Sequence, residues 1–335
     1  MQPPADHPIV PTPRVGVLLI NLGTPDAPDA AAVRRYLAEF LSDPRVVEIP
    51  RIAWKPILHG IVLRTRPSKS AHAYRQVWTE EGSPLAAITA RQARALAGRW
   101  GDTVLVDWAM RYGNPGIAAA VQRLKKAGAE RILAAPLYPQ YSGATTASAH
   151  DALFAGMAAL RWQPALRTLP AYHDDPLYID ALVASLERQI AALDFEPERL
   201  LLSFHGMPER TLRLGDPYHC QCRKTARLVS ERMSVPVDVA FQSRFGRARW
   251  LEPATDATLE AYPPQGVKRI AIAAPGFSAD CLETIEELGL RGRESFLAAG
   301  GEQFAALDCL NDSDEGMAML DGLLSRELAG WWNRP

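Results

Sequence analysis

Leu18-Leu-Ile-Asn-Leu-Gly-Thr-Pro25 near the start of the chain and Leu201-Leu-Ser-Phe-His-Gly-Met-Pro208 beyond its middle agree at four aligned positions. Each is an apolar run closing on a glycine and a proline, the pattern of a buried strand running into a loop. Two further pairs follow in the same order: Arg111-Tyr-Gly113 with Arg244-Phe-Gly246, and Gly128-x-x-Arg-Ile132 with Gly266-x-x-Arg-Ile270, which run on to Pro136 and Pro275. Three matches in one order indicate two copies of a single unit.

The unit is α/β. Short apolar runs at 15–23, 103–111, 131–138, 199–206, 235–242, 269–276 and 303–309 read as strands. Amphipathic stretches between them, at 29–41, 87–99, 115–126, 176–193, 224–233 and 315–331, read as helices covering both faces of parallel sheets. Ligands of such sheets sit beyond the carboxyl ends of the strands. Leu22, Arg111, Tyr138, His205, Arg244 and Phe277 are therefore predicted around one cleft between the halves.

Composition bounds the function. With 335 residues, two domains are expected. Lys and Arg number 37 against 38 Asp and Glu, a net charge of -1, which provides no basic field for nucleic acid. The first 14 residues lack the basic start and apolar core of an export leader, and no run has the length of a membrane span, so a cytoplasmic protein is expected. Four cysteines form neither a disulfide scaffold nor a paired C-x-x-C metal site; Cys220-x-Cys222 reads as a loop coincidence. Glycine-rich phosphate loops, H-E-x-x-H and G-x-S-x-G are all missing, so the chemistry must come from the strand ends.

Three features could supply it. His205 closes an apolar strand, where an imidazole can act as a base or a metal ligand, or simply bond a loop carbonyl. Asp280, Glu283, Glu286 and Glu287 follow the strand at 269–274. They read either as a capping box from Asp280 to Glu283 or as an acidic stripe for a divalent cation or departing protons. Between Pro50 and Thr79 there is no acid, while Arg51, Lys55, Arg64, Arg66, Lys69 and Arg75 alternate with Trp54, Ile57, Ile61, Tyr74 and Trp78. That run suits a helix with a charged edge, a lid over an apolar ligand carrying carboxylates, or a membrane-surface contact.

With these residues in place, the chain resembles the ferrochelatases from about Val15 to the final helix. The resemblance rests on Asn21-Leu-Gly-Thr-Pro25, Tyr138-Pro-Gln-Tyr-Ser142, Leu202-Ser-Phe-His-Gly-Met-Pro208, Phe241-Gln-Ser-Arg-Phe-Gly246 and Pro275-Gly-Phe-Ser-Ala-Asp-Cys-Leu-Glu-Thr284. It implies an α/β fold of two Rossmann-like domains with parallel sheets and a shared porphyrin cleft. The first domain would span 14–170 with a lid at about 50–80, the second 171–310, and a helix at 311–335 would pack back on the first. It further implies insertion of Fe(II) into protoporphyrin IX to form protoheme, with release of two protons. His205 and Glu283 would be the metal and proton-transfer pair, with Asp280 and Glu287 continuing an acidic path. Arg66, Tyr74 and Ser83 would meet the propionates, and Leu22, Arg111, Tyr112, Tyr138, Trp250 and Phe277 would line the cleft.

Iron is expected as substrate, with no permanently bound cofactor and a monomeric chain. Animal members carry a second histidine where this chain has Cys281, which puts a three-ligand metal site in doubt. They also carry cluster-binding cysteines in a C-terminal extension, whereas this chain closes on Trp331-Trp-Asn-Arg-Pro335 with Gly143 at the internal partner position, so no 2Fe-2S cluster is expected. The competing readings are a coproporphyrin ferrochelatase, a chelatase for precorrin or sirohydrochlorin rings, and a non-catalytic tetrapyrrole carrier. A greasy lid argues against the more heavily carboxylated rings.

Overall fold

A computed structural model describes residues 13–246 and 248–332. The first half comprises β1 (Arg14–Thr24), α1 (Ala30–Phe40), α2 (Arg51–Ile57), α3 (Leu63–Val77), α4 (Pro84–Trp100), β2 (Val104–Gly113), α5 (Ile117–Lys126), β3 (Ala129–Pro136), α6 (Ser148–Ala158) and β4 (Ala165–Thr168). Helix α7 (Pro176–Ala191) leads to β5 (Arg199–His205), α8 (Glu209–Arg213), α9 (Tyr218–Ser230), β6 (Val237–Gln242), α10 (Thr255–Ala261), β7 (Arg269–Ala273), α11 (Arg293–Ala298), β8 (Gln303–Ala306) and α12 (Asp314–Glu327). Two four-stranded sheets result, ordered β2-β1-β3-β4 and β6-β5-β7-β8, with every pairing parallel.

The identical strand orders express the internal repeat, and the register tests it residue by residue. Leu18 pairs with Asp107 and Ala134; its counterpart Leu201 pairs with Asp238 and Ile272. This overlay keeps Gly128 on Gly266 and Arg131 on Arg269, as the sequence suggests. It corrects the second match. Counting from Asp107 and Asp238, the counterpart of Arg111 is Gln242, so Arg244 lies two residues too far along, past the end of β6. There it is exposed and paired with Asp256, while Arg111 is largely buried within β2.

Both repeats keep a glycine where the first strand's end meets the second strand. A Cβ on Gly23, at φ +121, would stand 1.9 Å from the Tyr112 carbonyl oxygen, and one on Gly206 would stand 2.5 Å from that of Gln242. No other residue fits that approach. The strand interiors are apolar on both faces, as helices on each side require: Val17, Leu18, Leu19 and Ile20 are fully buried. One apolar cluster runs from Val17 and Leu133 through Leu182 and Leu320 to Leu202 and Ala271, so the core is continuous between the sheets. Helix α12 closes it, packing on α7 and α4, with the Trp100 indole donating to Asp321 at 2.7 Å.

Among the departures from the sequence reading are an edge strand and the start of a helix. Strand β4 has no apolar run to announce it, because Ala-Leu-Arg-Thr is a half-exposed edge. Helix α9 starts six residues before Lys224, since the Asp216 carboxylate accepts the Tyr218 N–H at 3.0 Å and starts the helix there.

A polar hub locks the first half. One oxygen of Asp43 accepts from Arg111 at 2.6 Å, Tyr112 at 2.8 Å and Ser148 at 2.6 Å, while the other takes the Arg45 N–H at 2.7 Å. Burial pushes the Asp43 carboxyl upward, but the bonds from Ser148, Arg45 and Tyr112 outweigh it, holding the group below its ordinary 3.8. A depressed folded-state value gives stability that is present above pH 3.8 and lost as the pH falls through the folded value. Asp43→Asn should therefore cost about 3 kcal/mol in urea unfolding at neutral pH, and the gap from wild type should close below about pH 4.

Candidate active site

His205 is the last residue of β5 and is half-buried. Its Nδ1 lies 2.7 Å from the Gly206 carbonyl oxygen. A carbonyl only accepts, so Nδ1 carries the proton in this bond and the neutral ring keeps its lone pair on Nε2. The Trp250 ring stands 3.4 Å from where a Gly206 Cβ would be, and its indole donates to the Phe245 carbonyl at 3.0 Å. The indole is thereby fixed beside the histidine turn.

Glu283 opens a π-helix, Glu283–Gly292, a wide turn that recurs at functional sites. The register sets His205 opposite Gln242, whose amide donates to the Glu283 carbonyl at 3.1 Å and accepts from the Ser203 hydroxyl at 2.8 Å. One side chain thus links the strand position beside the histidine to the backbone of the glutamate. Sequence reasoning missed Gln242, because only the corrected register singles it out.

The other acids are anchors. Asp280 accepts from Thr284 at 2.8 Å, from Asn311 at 2.6 Å and from the Cys309 N–H at 3.3 Å. Glu286 pairs with Arg291 at 2.9 Å, and Glu287 takes the Ser243 N–H at 2.8 Å and hydroxyl at 2.6 Å. The expected acidic path through Asp280 and Glu287 is therefore no row of open carboxylates. Nor does the capping box form: Thr284 accepts the Cys281 N–H at 3.0 Å, in place of a reciprocal pair between Asp280 and Glu283.

The Glu283 carboxylate stands instead among Cys281, Tyr36 and Tyr74. Burial pushes the Cys281 thiol well up and the Glu283 charge adds to it. The phenols of Tyr36 and Tyr74 are raised for the same two reasons, with Tyr74 also acting on Tyr36, and remain neutral donors. Tyr36, another residue the sequence did not flag, donates to the Gly23 carbonyl at 3.2 Å. Ser83 is buried and accepts from Thr24 at 2.8 Å.

Arg66 is exposed, with its guanidinium 5.6 Å from the centre of the Phe245 ring in the other half, and it has no ion pair among the described residues. Leu22 and Phe277, from opposite halves, pack on one cluster with Leu85, Met110 and Cys281. Tyr138 is buried, and its hydroxyl has no hydrogen-bond partner among the described residues. Tyr112 is fully buried behind Arg111, whose guanidinium lies 4.3 Å from its ring centre, so it supports the arginine and offers no cleft surface. Arg111 itself lines a recess of about 470 Å³ with Glu39, Ser42, Asp43 and Asp151. Cys220 and Cys222 lie on α9, not a loop, one exposed and one buried, and so do not face a common ligand.

The family model described as Ferrochelatase matches residues 14–328. A ferrochelatase of Rhizobium meliloti is 55% identical over 333 residues, covering 97% of this chain and 98% of its own. One of Methylibium petroleiphilum is 56% identical over 324 residues, covering 95% and 89%. Among solved structures, SirB from Bacillus subtilis superposes with a TM-score of 0.56 at 13% identity, covering 95% of this chain and 96% of its own. DR2241 from Deinococcus radiodurans, described as similar to chelatases, gives 0.51 at 14% identity, covering 92% of this chain and 54% of its own. These two likenesses carry the fold alone; the sequence matches carry the family, and the chain belongs to the ferrochelatases.

Proposed function

We propose that this chain inserts Fe(II) into protoporphyrin IX between its two halves, 14–170 and 171–310. The carrying observation is the linkage of His205 and Glu283 through Gln242, on one half, facing a lid that bears a free arginine. Insertion must remove two pyrrole N–H protons as Fe(II) enters, and a flat ring hides the nitrogen lone pairs. Contacts at the ring's edge, with Arg66 on a propionate and Leu22 and Phe277 on the faces, can bend the macrocycle. His205 Nε2 then accepts the two pyrrole protons in turn, passing the first to solvent before the second leaves, and the Glu283 carboxylate ligates or delivers the iron. Few and labile ligands suit this task, since a closed site would retain the metal.

The apolar packing of Leu22 and Phe277 with Leu85 and Met110 suits a ring with two propionates better than coproporphyrin III with four. Anaerobic assays should show His205→Ala with insertion down by about a thousandfold and porphyrin binding retained. Glu283→Gln should raise the Fe(II) KM and lower kcat at unchanged thermal stability. Normal turnover in either variant removes that residue from the mechanism.

We further propose that the lid rests on an anionic lipid surface while the chain remains monomeric. Ile52 is 92% exposed and Ile61 is 61% exposed, beside Arg51, Lys55 and Arg64. No helix among the described residues is long and apolar enough to cross a membrane, so the contact would be peripheral. The chain should sediment with phosphatidylglycerol vesicles more than with phosphatidylcholine alone, and Ile52→Glu should weaken that binding about tenfold. Equal partition between the two vesicle types would refute the contact.

A further inference from the structure

The start of the acidic π-helix is held from the opposite half of the molecule. The Gln92 amide, on α4, donates to the Asn311 carbonyl at 2.8 Å and the Ser278 carbonyl at 3.2 Å. Asn311, in the turn between β8 and α12, has φ +50, a left-handed conformation that asparagine tolerates better than other non-glycine residues. From there its N–H reaches the Ser278 carbonyl at 3.1 Å, its side-chain oxygen takes the Asp280 N–H at 2.8 Å, and its amide donates to the Asp280 carboxylate at 2.6 Å. Asp280 in turn holds the Thr284 hydroxyl, which receives the Cys281 N–H. Beside this chain of bonds, Arg91 clamps the Asp312 carboxylate at 2.8 and 3.1 Å.

The residues on either side of Glu283 in this turn are therefore tied through Asn311 to a helix of the first half. Gln92, Ser278, Asp280 and Thr284 are all buried, so these bonds face little competition from water. The side chain of Glu283 is not among the bonded groups.

We propose that Asn311 is a positioning residue for the metal-handling carboxylate: it fixes the start of the π-helix against α4, so that Glu283 is presented to the cleft at a set height. The inference rests on the role given to Glu283 above. A glutamate displaced by even an ångström loses much of its effect on a reacting centre. None of the side chains in the arrangement is among those given to the ring above, so the consequence falls on iron and not on the ring.

The test uses Asn311→Gly, which keeps the left-handed backbone accessible and removes only the side chain, with Gln92→Leu as a second route to the same turn. Both should lower kcat/KM for Fe(II), the glycine variant by roughly tenfold or more, with porphyrin affinity within about twofold of wild type. In a double-mutant cycle, Asn311→Gly added to Glu283→Gln should cost little more than Glu283→Gln alone, because the asparagine acts through the glutamate. Additive losses, or an unchanged kcat/KM for Fe(II) in folded Asn311→Gly, would overturn the inference while leaving the role of Glu283 intact. Full activity in Glu283→Gln would instead remove the reading beneath it.

Discussion

The register between β5 and β6 is the constraint on which the site depends. It sets His205 opposite Gln242, and from that position the Gln242 amide reaches the Glu283 carbonyl. Slipping one strand by a single residue would turn Gln242 to the other face of the sheet and break the connection between base and acid. Gly206 protects the register at the strand's end, since any side chain there would strike the Gln242 backbone. The same joint recurs at Gly23 in the first half, where it supports the lid side of the cleft through Tyr36 and Thr24.

The two halves use this shared joint for different ends. In the first, the second strand ends on Arg111 and Tyr112, locked by Asp43 into a rigid wall. In the second, it ends on Gln242 and Ser243, which hold the backbone of Glu283 and the carboxylate of Glu287. The repeated joint thus backs a rigid polar hub in the first half and positions the start of the acidic π-helix in the second. Of the acidic run, Glu286 pairs with Arg291, Glu287 holds Ser243 and Asp280 holds Asn311 and Thr284, while Glu283 stands beside Cys281, Tyr36 and Tyr74.

Much of this was legible in the sequence. Apolar runs give seven strands, and the matched glycines and prolines give the duplication. What the sequence could not supply was register. The Arg-x-Gly match pointed to Arg244 because letters agree there, but the parallel pairing counts from Asp107 and Asp238 and arrives at Gln242. Edge strand β4 was missed because a half-exposed strand needs no apolar run. Spacing shows which carboxylates share a face, not which ones already hold a partner; Asn311 and Ser243, far away in sequence, decide that. Tyr36 was passed over because an aromatic on an amphipathic helix reads as core, and it is core; its hydroxyl is what matters.

Turnover in the proposed mechanism exchanges two pyrrole protons for one ferrous ion. The decisive experiment mixes the purified chain with Fe(II) and protoporphyrin IX in weakly buffered anaerobic solution, following free-porphyrin fluorescence and proton release together. Two protons should be released for each porphyrin consumed, over many turnovers. Stoichiometric quenching of fluorescence with no proton release would contradict it, and would make the chain a carrier of the ring.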